Sequence, residues 1–288
     1  MPSVTTNGVE THYERTGSGP PVVFIHGLGW DRRSWRPQLA ALADEYDLVA
    51  YDYRDHGESE GAPGTAYSIG LLAEDLHALV EALSLDSPVL CAHSYGGLIA
   101  AEYAVRYPDD VAGIAFADAR TAIGESAFER AMFRLQPVLA RLESVVGRER
   151  YDRFMEFVAE RVADAEQGSD EEVPELGCTP SEYAEAVTDG MSLDVEGKFV
   201  TAGREYVGAS PTDFHVPVLY AYGELTSDVI AGKADRLDRA PTDVRVREVA
   251  NAGHGLMLEQ PEAFTAVLES FLRDVTGDGS PRAAADGD

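Results

Sequence analysis

Pro88-Val-Leu-Cys-Ala92-His-Ser94-Tyr-Gly96-Gly97-Leu-Ile-Ala-Ala-Glu-Tyr-Ala-Val-Arg-Tyr107-Pro108 is the stretch that decides the fold. Its first five residues are an apolar run that reads as a buried strand, and 95–107 reads as a helix stopped by Pro108. Ser94 stands at the turn between them, in the pattern small-x-Ser-x-Gly. In so tight a strand–turn–helix, Cβ atoms two before and two or three after the serine would strike backbone, so Ala92, Gly96 and Gly97 suit the place. The turn would hold the hydroxyl clear of its neighbours, at the positive end of the helix. The pattern alone is weak, because Ala66-Tyr-Ser68-Ile-Gly70 matches it too. Ser68, however, follows the loop Gly61-Ala-Pro-Gly-Thr and simply opens a helix. Ser94 is therefore the candidate nucleophile.

Outward from this turn, short β-rich runs alternate with longer stretches of helical period. Strands are expected at 3–6 and 9–15 (a hairpin across Asn7-Gly8), then at 21–25, 47–51, 111–117, 216–222 and 244–249. Helices are expected at 67–83, with apolar residues at Leu72, Leu76, Leu79, Val80 and Leu83, and at 261–275. This rhythm predicts an α/β fold, a mostly parallel twisted sheet with helices on both faces. The stretch 121–214 breaks it: helical period at 128–142, 151–165 and 181–186, and no convincing strand. The expected organisation is a core of 1–120 and 215–275, an inserted helical cap at 121–214, and a Gly/Asp/Ala-rich disordered tail at 276–288.

Two further segments bear on the chemistry of Ser94. His26-Gly27-Leu28-Gly29-Trp30 follows the strand at 21–25, where its loop could aim the Leu28 N–H at a developing oxyanion, with the Tyr95 N–H as second donor. Asn251-Ala-Gly-His254-Gly-Leu-Met-Leu-Glu-Gln-Pro261 follows the last strand, and glycines beside His254 would let its imidazole reach the serine as general base.

In this order, with Asp52-Tyr-Arg-Asp55-His-Gly57-Glu-Ser59 between the second parallel strand and the serine turn, the chain resembles the α/β-hydrolase superfamily over about residues 8–273. The resemblance implies that fold, a capped serine hydrolase, and a carboxylate completing a triad with Ser94 and His254. The family normally has glycine where Asp55 stands, and it usually carries the acid in a G-x-x-D pattern after the strand at 216–222. Here that pattern reads Gly223-Glu-Leu-Thr226, with Asp228 two residues beyond. Some branches carry the acid one strand earlier, where Asp118 stands in Ala115-Phe-Ala-Asp118. Asp118 is the favoured acid and Asp228 the alternative, since the triad is defined by geometry rather than by order. A serine nucleophile argues against the epoxide-hydrolase and haloalkane-dehalogenase branches, which use Asp. The expected reaction is hydrolysis of a carboxylic ester or lactone through an acyl-enzyme. The rivals are C–C bond hydrolysis, perhydrolysis, or a ligand sensor with a retained triad. Candidate substrate contacts are His26 and Trp30 on the loop and Phe128 and Met132 in the cap, whose aromatic and aliphatic residues point to an apolar pocket or merely pack its helices.

Composition sets the outer limits. The 288 residues are 44% hydrophobic, enough for a core of this size, and no run approaches the roughly 18 apolar residues that span a bilayer. The start, Met1-Pro-Ser-Val-Thr, has neither basic residues nor an apolar run, so a cytoplasmic protein is expected. No metal-ligand cluster or phosphate loop stands out, so no metal and no cofactor are expected. Fifty-one acidic against 23 basic residues give a net charge of −28, which argues against binding nucleic acid or anionic membrane. The expected partner is a small-molecule substrate, with a homodimer left open. The acidity is spread, since 121–214 carries 20 acidic and 9 basic residues, and only Lys198 and Lys233 are lysines. Self-repulsion on this scale is screened in concentrated salt, so a salt-adapted cytosol is expected. The thermal unfolding midpoint should rise from low to molar KCl; equal or greater stability at low salt would contradict salt adaptation.

Overall fold

The computed structural model of the protein describes residues 2–62, 64–121, 193–206, 208, 214–238 and 244–277. Asn7 and Gly8, with φ of 43° and 80°, turn β1 (Ser3–Thr6) back onto β2 (Val9–Gly17), with Thr6 opposite Val9. This is the two-residue hairpin that an Asn-Gly pair favours. β3 (Pro21–Ile25), α1 (Arg36–Leu42), β4 (Asp47–Tyr51), α2 (Ile69–Ala82), β5 (Val89–His93), α3 (Gly96–Arg106) and β6 (Gly113–Ala117) follow. After α4 (Leu193–Glu205) come β7 (Val218–Gly223), α5 (Asp228–Asp238), β8 (Val244–Val249), α6 (Leu256–Glu259) and α7 (Pro261–Thr276).

The strands form one eight-stranded sheet in the order β1-β2-β4-β3-β5-β6-β7-β8. β2 is antiparallel to both its neighbours, and from β4 to β8 every pairing is parallel. Strands of a parallel sheet covered on both faces need apolar side chains on both, which is why they read as unbroken runs. Successive residues go to opposite faces. Leu90 and Ala92 of β5, with Ile114 and Phe116 of β6, meet the packing of α2 and α3. Val89 and Cys91, with Ala115 and Ala117, meet that of α1 and α7. Cys91 is a buried free thiol, and burial pushes its pKa up.

Where sequence and structure differ, element ends move by a residue or two, as hydrogen-bonded boundaries commonly do. Ser68 proves to be the N-cap of α2, its hydroxyl accepting the Leu71 N–H at 3.0 Å, and not an elbow. Helices α1, α4, α5 and the four-residue α6 are not marked by the periodicity. The helices expected at 128–142, 151–165 and 181–186, with Phe128 and Met132, lie outside the described residues. No helix among the described residues is long and apolar enough to cross a membrane.

Candidate active site

β5 delivers Ser94 at the carboxyl edge of the sheet, where ligands of open parallel sheets bind. Ser94 has φ 49°, in the left-handed region that costs a non-glycine residue about 1–3 kcal/mol. The surroundings hold it there. Its N–H donates to the Ala117 carbonyl at 3.3 Å, and its own carbonyl accepts from Gly97 and Arg120 N–H at 3.1 and 3.0 Å. A Cβ on Gly96 would lie 2.6 Å from the His26 carbonyl oxygen, and one on Gly97 2.4 Å from that of Arg120. A Cβ on Gly27 would lie 3.1 Å from that of Ser94, so the Leu28 loop closes directly on the turn.

Three distant segments meet at Ser94. Its hydroxyl lies 2.9 Å from His254 Nε2, and His254 Nδ1 lies 2.6 Å from Asp118 Oδ2. A carboxylate only accepts, so Nδ1–H donates to Asp118 and leaves the Nε2 lone pair toward the serine. Asp118, just past β6, is wholly buried and has φ 47°; its N–H donates to the Ala221 carbonyl at 2.8 Å. Two more donors fix its carboxylate: Gly223 N–H to Oδ1 at 3.2 Å and Thr226 Oγ1 to Oδ2 at 2.7 Å. Thr226 is the residue standing where the family usually has its acid, and here it serves Asp118 from that place. Asp228 is the first residue of α5, two residues beyond Thr226, and it is Asp118 that holds His254 Nδ1.

The other expected residues fall as follows. Among the described residues no group takes the amide N–H of Leu28 or of Tyr95. Two donors thus remain without a partner among the described residues, one on the residue after Ser94 and one on the residue after Gly27. The Tyr95 hydroxyl is occupied elsewhere, donating to the Phe199 carbonyl of α4 at 2.7 Å. Trp30 is part-buried, its ring edge-on to His93 with centroids 5.0 Å apart. His26, expected as a substrate contact, is instead completely buried, with both ring nitrogens engaged by backbone: Nδ1–H donates to the Gly27 carbonyl at 2.8 Å, and Nε2 accepts the Tyr53 N–H at 3.3 Å. His56 does the same for the other side of the loop, its Nε2 accepting the Gly29 N–H at 3.3 Å. Both rings are kept neutral by burial, which pushes His26 down to about 3.

The segment 52–59 supports this loop. Asp52 accepts from Arg32 and from the Glu58 N–H, and a Cβ on Gly57 would strike its carboxylate. Asp55 keeps the left-handed φ, 58°, that the glycine usual at its place would supply. Its carboxylate accepts the Tyr67 hydroxyl and lies 3.7 Å from Lys198 of α4. Among the described residues no group of three or more His, Cys, Asp or Glu side chains is placed to hold a metal ion.

This fold and this site define a class, and comparison with known proteins agrees. A family model described as the alpha/beta hydrolase fold matches residues 20–261, and the chain belongs to that family. It is a hydrolase of the α/β type. It is 25% identical to a putative carbamate hydrolase, RutD, of Azorhizobium caulinodans, over 96% of this chain and 99% of that one. A thermophilic esterase from Thermogutta terrifontis superposes with a TM-score of 0.70 at 26% identity, over 95% and 98% of the two chains. An enol-lactonase from Burkholderia xenovorans LB400 does so with 0.73 at 25%, over 94% and 99%.

The buried histidines make stability depend on pH. His26 at about 3 lies below the roughly 6.5 of an unfolded histidine, so the unfolded chain takes up the proton first. The ring's contribution is complete above about pH 6.5 and is lost as the pH falls toward 3. The stability difference between wild type and His26→Gln, from urea unfolding, should therefore narrow from pH 7 to pH 4; a constant difference would contradict a neutral buried ring.

Proposed function

We propose that the protein is a serine hydrolase that cleaves a carboxylic ester or lactone of a small, largely apolar substrate through an acyl-enzyme. The observation that carries this reading is the unbroken line from Ser94 Oγ to His254 Nε2 at 2.9 Å and from His254 Nδ1 to buried Asp118 at 2.6 Å. His254 takes the hydroxyl proton as Ser94 Oγ bonds to the carbonyl carbon, and the carbonyl oxygen becomes an oxyanion facing the Leu28 and Tyr95 N–H groups. Collapse expels the alcohol, protonated by His254; in a lactone this alcohol stays tethered to the acyl group. Water, deprotonated by the same imidazole, then releases the acid and restores Ser94. Asp118 keeps the imidazole in one tautomer and stabilises the imidazolium of each step.

The names of the relatives support a carbonyl substrate, since one matched structure is an esterase and another an enol-lactonase. The company of Leu28, Tyr95 and Phe199 in one apolar cluster supports an apolar substrate. A panel of short p-nitrophenyl esters with a fluorophosphonate probe tests the reading. Rapid labelling at Ser94 with efficient turnover is expected. Slow labelling with almost no turnover would indicate a sensor, and labelling with strong preference for a dienoic diketone a C–C hydrolase. Asp118→Asn should lower kcat by about 10⁴-fold, as loss of a triad acid does, while Asp228→Asn stays near wild type; the reverse result would move the acid to Asp228.

A further inference from the structure

A general base acts only if its nitrogen stays within hydrogen-bond reach of the proton it takes. His254 meets this demand from a loop between β8 and α6, in which Asn251 has φ 55° and glycines stand on both sides of the imidazole. Asp118 holds the ring but not the chain that carries it. The start of the loop is tied by Glu224, which accepts the Asn251 N–H at 2.9 Å, by Gln260, which donates to the Asn251 carbonyl at 3.2 Å, and by the Leu225 N–H, which donates to the Ala252 carbonyl at 2.8 Å. From Gly253 to Gly255, the side-chain restraint on the backbone comes from two residues that the reaction described above does not use. On one side, buried His93 donates Nε2–H to the His254 carbonyl oxygen at 2.9 Å. On the other stands Glu259, the last residue of α6, only 5% exposed. Its Oε1 accepts the Gly255 N–H at 3.0 Å, and its Oε2 accepts the Gly253 N–H.

The carboxylate therefore straddles His254, gripping the amides immediately before and after it. Helix capping accounts for half of this at most. Gly255 is the N-cap of α6, and a glutamate reaching back to a cap N–H is a known device, but Gly253 lies outside the helix. Withdrawing a carboxylate from water is costly unless its oxygens are engaged, and both are engaged on the loop that carries the base. The geometry points to Glu259 as a positioning residue for the hydrolysis: a carboxylate clamp that fixes the main chain around His254, so that Nε2 faces Ser94 while Nδ1 faces Asp118. This rests on the reading of Ser94 and His254 given under the proposed function.

The test uses the full chain and two variants. Glu259→Gln keeps the volume but turns one acceptor oxygen into an NH2 group facing an amide N–H; Glu259→Asp keeps the charge and withdraws it by one methylene. The end point of fluorophosphonate labelling counts folded sites, so kcat for p-nitrophenyl acetate is expressed per site even where part of a preparation is unfolded. Both variants should lose about 10- to 100-fold in kcat per site with KM unchanged, the scale of a misplaced catalytic group. The low-field proton resonance of the His254 Nδ1–H bonded to Asp118 should broaden or shift. Per-site kcat equal to wild type in both variants, with that resonance unmoved, overturns the clamp while leaving Ser94 as nucleophile. A wild type that takes no label at Ser94 overturns the reading of the site, and the clamp with it.

Discussion

Ser94 is held at φ 49° in a turn that tolerates the strain because backbone from the Leu28 loop and from Arg120 closes on it through Gly27, Gly96 and Gly97. A side chain at Gly96 or Gly97 would strike that backbone, and one at Gly27 would strike the His93 ring and the Ser94 Cβ, so the neighbouring elements are spaced by these contacts. β3 and β6 pair with β5 on either side, so the loops leaving their carboxyl ends arrive beside the serine. One brings the Leu28 amide and the other Asp118. A strained residue kept in place by its whole surroundings is the usual mark of a functional turn.

Asp118 shows how a fixed hydrogen-bond geometry admits more than one sequence solution. Asp118 leaves β6 at φ 47°, and its N–H stays bonded to Ala221 of the adjacent β7. The carboxylate then lies against the loop after β7, where Gly223 and Thr226 donate to it. The loop that usually supplies the acid in this family here supplies hydrogen-bond donors to a carboxylate from the neighbouring strand. Thr226 Oγ1 and His254 Nδ1 share one carboxylate oxygen, so the hydroxyl helps hold the face presented to the imidazole.

Much of this was legible in the sequence because the relevant signals are local. Apolar runs buried on both faces, a serine between strand and helix, and glycines beside His254 each reflect a constraint acting within a few residues. Asp118 could be singled out by its place after a strand, but the hydroxyl of Thr226 bonding to it depends on two loops meeting. α4 escaped because Gly197 and Gly203 weaken its intrinsic propensity; what it has is tertiary, with Phe199 buried and its carbonyl bonded to Tyr95. α1 is seven residues long with a proline in its first turn, too short for a period to show. His26 looked like a ligand contact because it begins the loop, whereas its nitrogens are consumed by backbone groups brought together in the fold. Glu259 stood in plain sight five residues after His254, and only the two bonds to Gly253 and Gly255 distinguish it from an ordinary helix glutamate.

That Ser94 is a nucleophile facing two amide donors is tested most directly by a crystal structure of the protein inactivated with a fluorophosphonate. The expected result is a covalent bond from Ser94 Oγ to phosphorus. The phosphoryl oxygen should lie about 2.7–3.1 Å from both the Leu28 and the Tyr95 nitrogens, with His254 still bonded to Asp118. An adduct on another residue, or a phosphoryl oxygen turned away from both amides, would contradict it.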